Sequence, residues 1–176
     1  ANDVAFTQNA IMAADGEDEE GEPAFVFLLG SRTGYELVTS VDVASDTEFT
    51  IEFESFFAGY KSLYPRVFPA HVFSEDPVEA AGELNEALPE FLLASGDPIP
   101  ASGPMIFESW DRGIQMNLVR NDGYHGSVSP DVTRQGEVAS VGGVQINWVT
   151  DTDAQINALE AGEAQIIFTQ PQLQFE

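Results

Sequence analysis

Apolar positions along this chain switch between a helical and an alternating period, and the switches outline its elements. Val4, Phe6, Ile11 and Met12 share a rough helical face over residues 2–13, with Asn2 or Asp3 placed to cap it. Residues 15–23, Asp-Gly-Glu-Asp-Glu-Glu-Gly-Glu-Pro, carry no apolar period and are expected to form a solvated loop. Two strands are predicted next, over 35–43 and 48–53. In the second, Phe49, Ile51 and Phe53 alternate with Glu48, Thr50, Glu52 and Glu54, the period of a strand with one wet face. The two are expected to pair as a hairpin through residues 44–47.

Residues 56–69 hold Phe56, Phe57, Tyr60 and Tyr64 among prolines, with no regular period, and are expected to form an anchored irregular loop. After Asp76-Pro77 a helix is predicted, with Ala80, Ala81, Leu84 and Leu88 on one face and Pro89 as its stop. A Gly-, Pro- and Ser-rich linker spans 95–104. A second hairpin follows, with strands 105–110 and 114–120 around Asp111-Arg112-Gly113. The chain then reads strand 144–149, helix 153–161 closed by Gly162, and strand 164–168, a candidate βαβ unit with a right-handed crossover. The fold class expected is mixed α/β.

Composition narrows the chemistry. With 43% hydrophobic and 11% aromatic residues in 176, the chain has the apolar surface to form a packed interior. Thirty acidic residues face six basic ones, with Lys61 the single lysine, for a net charge of -24. A polyanionic backbone would be repelled, so nucleic acid is excluded as a partner, and the acidity fits a salt-rich setting. No cysteine is present, which removes disulfides, thiolate metal sites and a cysteine nucleophile.

Catalytic and cofactor signatures are sparse. Neither a dinucleotide fingerprint nor a phosphate-binding loop occurs, and no serine sits in a Gly-x-Ser-x-Gly frame. His71 and His125 are isolated in sequence and are expected to be structural, since a zinc site needs about three converging ligands. The 15–23 carboxylates do not follow the spacing of a calcium loop. No catalytic residue, metal or cofactor is assigned. Phe56, Phe57, Tyr60 and Tyr64 could stack on a ligand, although aromatic residues more often fill cores.

Several segments, read in order, resemble the family 5 extracellular solute-binding proteins, the dipeptide and oligopeptide receptors of ABC importers. Ala1-Asn2-Asp3-Val4-Ala5-Phe6-Thr7 is similar to the family's Ala-x-Asp-Val-x-Phe-Ser/Thr helix start, and Pro69-Ala70-His71-Val72 to its Pro-x-His-Val element. Ser102-Gly103-Pro104, Trp110-Asp111-Arg112-Gly113 and Leu118-Val119-Arg120-Asn121-Asp122-Gly123-Tyr124 resemble its Gly-Pro-Tyr, Trp-x-x-Gly and Arg-Asn-Pro-x-Tyr succession. Ala158-Leu159-Glu160-Ala161-Gly162-Glu163 resembles its Ser-Gly-Glu-x-Asp-Ile close. Departures are Met105 for Tyr, His125 for Trp, Gln165 for Asp, and a long 127–143 segment.

The resemblance implies a fragment of a two-lobed, type II periplasmic-binding-protein-like fold, because the family's members run to several hundred residues. Residues 1–100 and 101–168 would belong to the first lobe, and 169–176 would begin the crossing to the second. It further implies a non-enzymatic receptor outside the cytoplasmic membrane, capturing a peptide-like or other small solute for an ABC transporter permease. Phe168, Thr169, Gln170 and Pro171 would be hinge and cleft residues; the alternative is a disordered chain end. A fragment of this kind would expose an apolar patch that self-association could cover. Two competing classes are a small acidic hydrolase using a carboxylate pair and a structural adhesion domain.

Overall fold

The computed structural model describes residues 1–28, 30–124 and 139–168. The chain divides into two compact units, residues 1–100 and 101–176.

In the first unit, helix α1 (Asn2–Met12) and helix α2 (Pro77–Glu90) share one small core. The Asp76 carboxylate caps α2 by accepting from the N–H groups of Val78 and Glu79, and Pro77 occupies the first turn, where no N–H is needed. The buried face of α2 is Ala80, Ala81, Leu84 and Ala87, while Leu88 packs partly buried at its margin. Pro89 does not stop the helix. It lies next to the last helical residue, so its missing N–H forfeits a single i to i−4 bond with almost no helix left to disturb, and the helix ends at Phe91 in the left-handed conformation (φ 59°). Around Leu84 gather Ala10 and Ile11 of α1 with Phe27, Tyr35 and Phe68 from the loops.

The acidic tract is not a plain loop. Strands β1 (Ala14–Glu17) and β2 (Pro23–Phe25) pair antiparallel. The Asp18 carboxylate ties the turn between them by accepting from the N–H groups of Glu20 and Glu22, with Gly21 at φ 81°. Local hydrogen bonding makes this hairpin, so no hydrophobic alternation announces it.

Strands β3 (Val38–Ser45) and β4 (Glu48–Phe53) form the expected hairpin, with β3 starting three residues later than its apolar pattern suggests. Tyr35 belongs to a turn instead: its N–H donates to the Arg32 carbonyl, its ring is buried, and Gly34 before it sits at φ 89°. The 95–104 linker begins as a tight loop. Leu93 N–H donates to the Asp97 carbonyl and Ile99 N–H to that of Phe91.

Among its described residues the second unit holds a three-stranded antiparallel sheet in the order β5 (Met105–Asp111), β6 (Gln115–Arg120), β7 (Gly143–Asn147), followed by α3 (Thr152–Glu160). Asp151 caps α3, and Gly162 (φ 74°) terminates it. The expected βαβ unit is not formed. Strand β7 pairs antiparallel with β6, and residues 164–168 are not a strand. Ile166 and Phe168 stand 74% and 88% exposed, so among the described residues no neighbouring strand supplies the ladder that an extended segment needs.

Candidate functional site

Polar groups on α1 act as anchors for the irregular 63–70 loop. Asp3 and Thr7 lie four residues apart on one helix face. The Asp3 carboxylate accepts from Ala70 N–H at 2.9 Å, and the Thr7 hydroxyl accepts from Phe68 N–H at 2.8 Å while donating to the Asp3 carbonyl at 2.7 Å. Thr7 is fully buried, so these bonds satisfy backbone groups that water cannot reach. The Asp-Val-x-Phe-Thr start and the Pro-x-His-Val element therefore meet in space. Motif matching found both pieces but missed their roles, which the i, i+4 spacing of Asp3 and Thr7 could have suggested.

Gln8 extends the network. Its Nε2 donates to the Tyr35 carbonyl at 3.0 Å, its Oε1 accepts from the Tyr64 hydroxyl at 2.6 Å, and the Tyr35 hydroxyl accepts from Tyr64 N–H at 2.9 Å. Burial, and then the neighbouring Tyr35, push the Tyr64 phenol up to about 12. A folded-state value above the ordinary 10.0 favours the neutral phenol, so this contribution is complete below pH 10 and is lost as pH rises toward 12. Tyr64→Phe is expected to remove the alkaline loss at this site, at the cost of about 1 kcal/mol at neutral pH from the missing hydrogen bond. Denaturant unfolding at pH 8, 10 and 11.5 checks it, and equal alkaline losses in both proteins would refute it.

The four aromatic residues considered as a stacking surface are divided between roles. Phe57 fills a slot between Gly34 and Gly59, and Tyr64 is committed to Gln8 and Tyr35. Phe56 is 88% exposed, and Tyr60 faces the Lys61 ammonium 5.7 Å from its ring centroid. Two of the four, Phe57 and Tyr64, are thus packed within the unit, while Phe56 and Tyr60 stand exposed. His71 lies exposed in a one-turn 3-10 helix (Ala70–Val72), and His125 falls outside the described residues.

An open depression of about 280 Å³ lies between α1 and β3, lined by Gln8, Asn9, Met12, Tyr35 and Glu36 beside the edge of β3. Among the described residues no three His, Cys, Asp or Glu side chains gather as metal ligands. Two pairs of exposed carboxylates do converge, each on a serine. Ser40 Oγ donates to Asp42 at 2.8 Å and reaches Glu52 at 3.5 Å; Ser74 donates through Oγ to Glu79 and through N–H to Glu83.

In the second unit Asn121 organises the Gly-Pro and Arg-Asn segments. Its Nδ2 donates to the Gly103 carbonyl and its N–H to that of Pro104, while Arg120 Nε donates to Asp122 at 2.7 Å. At the opposite end of the hairpin, Trp110 stacks on Trp148 with centroids 5.9 Å apart, and the Arg112 guanidinium lies 4.8 Å from the Trp110 centroid. Of the proposed cleft residues, Phe168 is described and exposed; Thr169, Gln170 and Pro171 lie outside the described residues.

These elements have counterparts in the two-lobed, type II class of periplasmic binding proteins. The oligopeptide-binding protein AppA from Bacillus subtilis, in complex with a nonapeptide, matches with a TM-score of 0.61 and 23% identity over 93% of this chain and 27% of its own. DppA from Helicobacter pylori, an ABC transporter-associated periplasmic binding protein in complex with a peptide, gives 0.54 and 16% identity over 93% and 29%. The periplasmic EDTA-binding protein EppA gives 0.55 and 20% over 78% and 23%. The chain thus spans about a quarter of the length of these proteins. A model of the bacterial extracellular solute-binding proteins, family 5 Middle, matches residues 1–176, and the chain belongs to that family. Comparison with curated proteins gives no match.

Proposed function

We propose that this chain is part of the first lobe of an extracytoplasmic receptor that captures a peptide-like solute and delivers it to an ABC transporter permease, without bond-making chemistry. The observation that carries this reading is the family match along all of residues 1–176, together with a fold shared over 93% of the chain with an oligopeptide-binding protein. In such a receptor, residues 1–168 contribute to one lobe and residues 169–176 start the crossing to the other. Phe168, Thr169, Gln170 and Pro171 then line the cleft, where hydrogen bonds and shape hold the ligand as the lobes close. The exposed side chains Leu28, Phe56, Ile166 and Phe168 provide apolar surface for the remaining chain, or for a second copy, to cover. The acidic-hydrolase alternative draws little support from the Asp42–Glu52 and Glu79–Glu83 pairs, because all four carboxylates are exposed to solvent rather than held in a cleft that would enclose a substrate.

Thermal unfolding of the complete receptor in the presence of peptide pools tests the reading. A ligand at about a hundred times its Kd stabilises the folded state by about 2.7 kcal/mol, which raises the melting temperature by several degrees. Phe168→Ala is expected to weaken ligand binding about tenfold without lowering the melting temperature of the unliganded protein. No peptide-linked shift in any pool, or unaltered affinity in the Phe168→Ala variant, would overturn the receptor role or the cleft assignment respectively.

A further inference from the structure

The chain's negative charge is unevenly placed. Residues 1–100 contain 20 acidic and 3 basic side chains, whereas residues 101–176 contain 10 and 3. Two of the first unit's three cations are turned to aromatic rings and backbone. Arg32 stacks on the Phe25 ring, 4.2 Å from its centroid, and donates to the Phe27 carbonyl, while Lys61 turns toward Tyr60. In the second unit Arg120 meets Asp122 directly.

The first unit also holds like charges close together. Asp42 and Glu52 reach one serine hydroxyl, Glu79 and Glu83 converge on another serine, and the turn of the β1–β2 hairpin packs Asp18, Glu19, Glu20 and Glu22 into five positions. Against this repulsion stands a core in which Leu84 is the one large apolar side chain fully buried among the described residues. Self-repulsion of this kind weakens a compact state, and mobile ions relieve it only when the screening length falls to the spacing of the charges, from about 10 Å at 0.1 M to about 3 Å at 1 M.

We propose that the folded state of this chain is conditional on dissolved salt, and that residues 1–100 need a higher salt concentration than residues 101–176. The inference stands apart from the solute-binding reading, since it rests on charge placement alone.

The two units carry separate reporters. Among the described residues, helices α1 and α2, of 11 and 14 residues, lie in the first unit and α3, of 9, in the second, so their ellipticity at 222 nm is weighted toward the first. Both tryptophans, Trp110 and Trp148, lie in the second. The 176-residue chain is taken from about 3 M to about 0.02 M NaCl, and both signals are followed. The helix signal is expected to fall first, with its midpoint at a salt concentration several-fold above that of the tryptophan change. The melting temperature is expected to rise by about 10 °C or more between about 0.05 and 1 M NaCl. The double variant Glu52→Gln/Glu83→Gln, which relieves both serine-centred pairs, is expected to move the helix midpoint to lower salt.

KCl should match NaCl at equal ionic strength, and sucrose should not substitute. Coincident transitions, a reversed order, or an unmoved midpoint in the double variant would overturn the uneven placement of the effect. A melting temperature insensitive to salt, or sodium sulfate outperforming NaCl at equal ionic strength, would overturn screening as its cause.

Discussion

Gly34→Ala is expected to lower the stability of the first unit by about 2–4 kcal/mol, far more than the same change at any exposed glycine. Two costs combine. Gly34 sits at φ 89°, a conformation that disfavours any side chain by about 1 kcal/mol. A β-carbon there would also stand 2.4 and 2.6 Å from Cε1 and Cζ of Phe57, closer than carbon atoms approach. The ring has little room to withdraw, because a β-carbon on Gly59 would likewise meet it at 2.7 Å: the ring is held between two glycine backbones. Forcing an extra methyl into such a slot costs about 1–3 kcal/mol.

Gly21→Ala isolates the backbone part, since Gly21 has φ 81° but nothing within 4 Å of the added carbon. Urea unfolding followed by far-UV circular dichroism compares the two. Phe57→Ala in the Gly34→Ala background should recover part of the loss as a coupling term. If Gly34→Ala is no more damaging than Gly21→Ala, the slot does not restrain the ring.

That slot illustrates where sequence patterns stop being informative. Phe57 stands among Phe56, Tyr60 and Tyr64 as one of four similar rings. What distinguishes it is its place between Gly34 and Gly59, a tertiary contact that no local period encodes. Elements governed by local rules were legible. The Asp76-Pro77 start of α2, the alternation along β4 and the Asp111-Arg112-Gly113 turn each carry their cause within a few residues. The β1–β2 hairpin was hidden because its order comes from the Asp18 carboxylate, while its composition resembles disorder. The 164–168 segment misled for the opposite reason. Its apolar residues fit a strand, but a strand exists only with a partner, and periodicity does not say whether one is at hand.

For the candidate site, ordered motifs identified the family, and the structure supplied their mechanical sense in Asp3, Thr7 and Asn121. The cleft residues could be placed only through the resemblance. A binding cleft in a two-lobed protein is completed by distant chain, so its contacts leave little trace in a local pattern.

Leu84→Ala is expected to cost about 3–5 kcal/mol, the upper part of the range for deleting a buried leucine. The reason lies in what surrounds it. Leu84 is 0% exposed, and its neighbours in the core include Ala10, Ala13 and Ala81. Alanines have no rotamers with which to fill a vacated volume, so the cavity persists unless the helix backbones move, and the lost contacts are not replaced. The aromatic neighbours Phe27 and Phe68 are already engaged edge to face with centroids 5.9 Å apart, and Phe68 N–H is held by Thr7. Collapse toward the cavity would therefore strain the anchor of the 63–70 loop.

Leu84→Met conserves volume and should cost less than about 1.5 kcal/mol, while Leu88→Ala, at the partly buried margin, should fall between the two. Since a domain of this size is stable by only about 5–15 kcal/mol, the Leu84→Ala protein is expected to melt well below the parent at the same salt concentration. A loss under about 1 kcal/mol would mean that α1 and α2 can close over the vacancy, and that the alanines around Leu84 do not hold the cavity open.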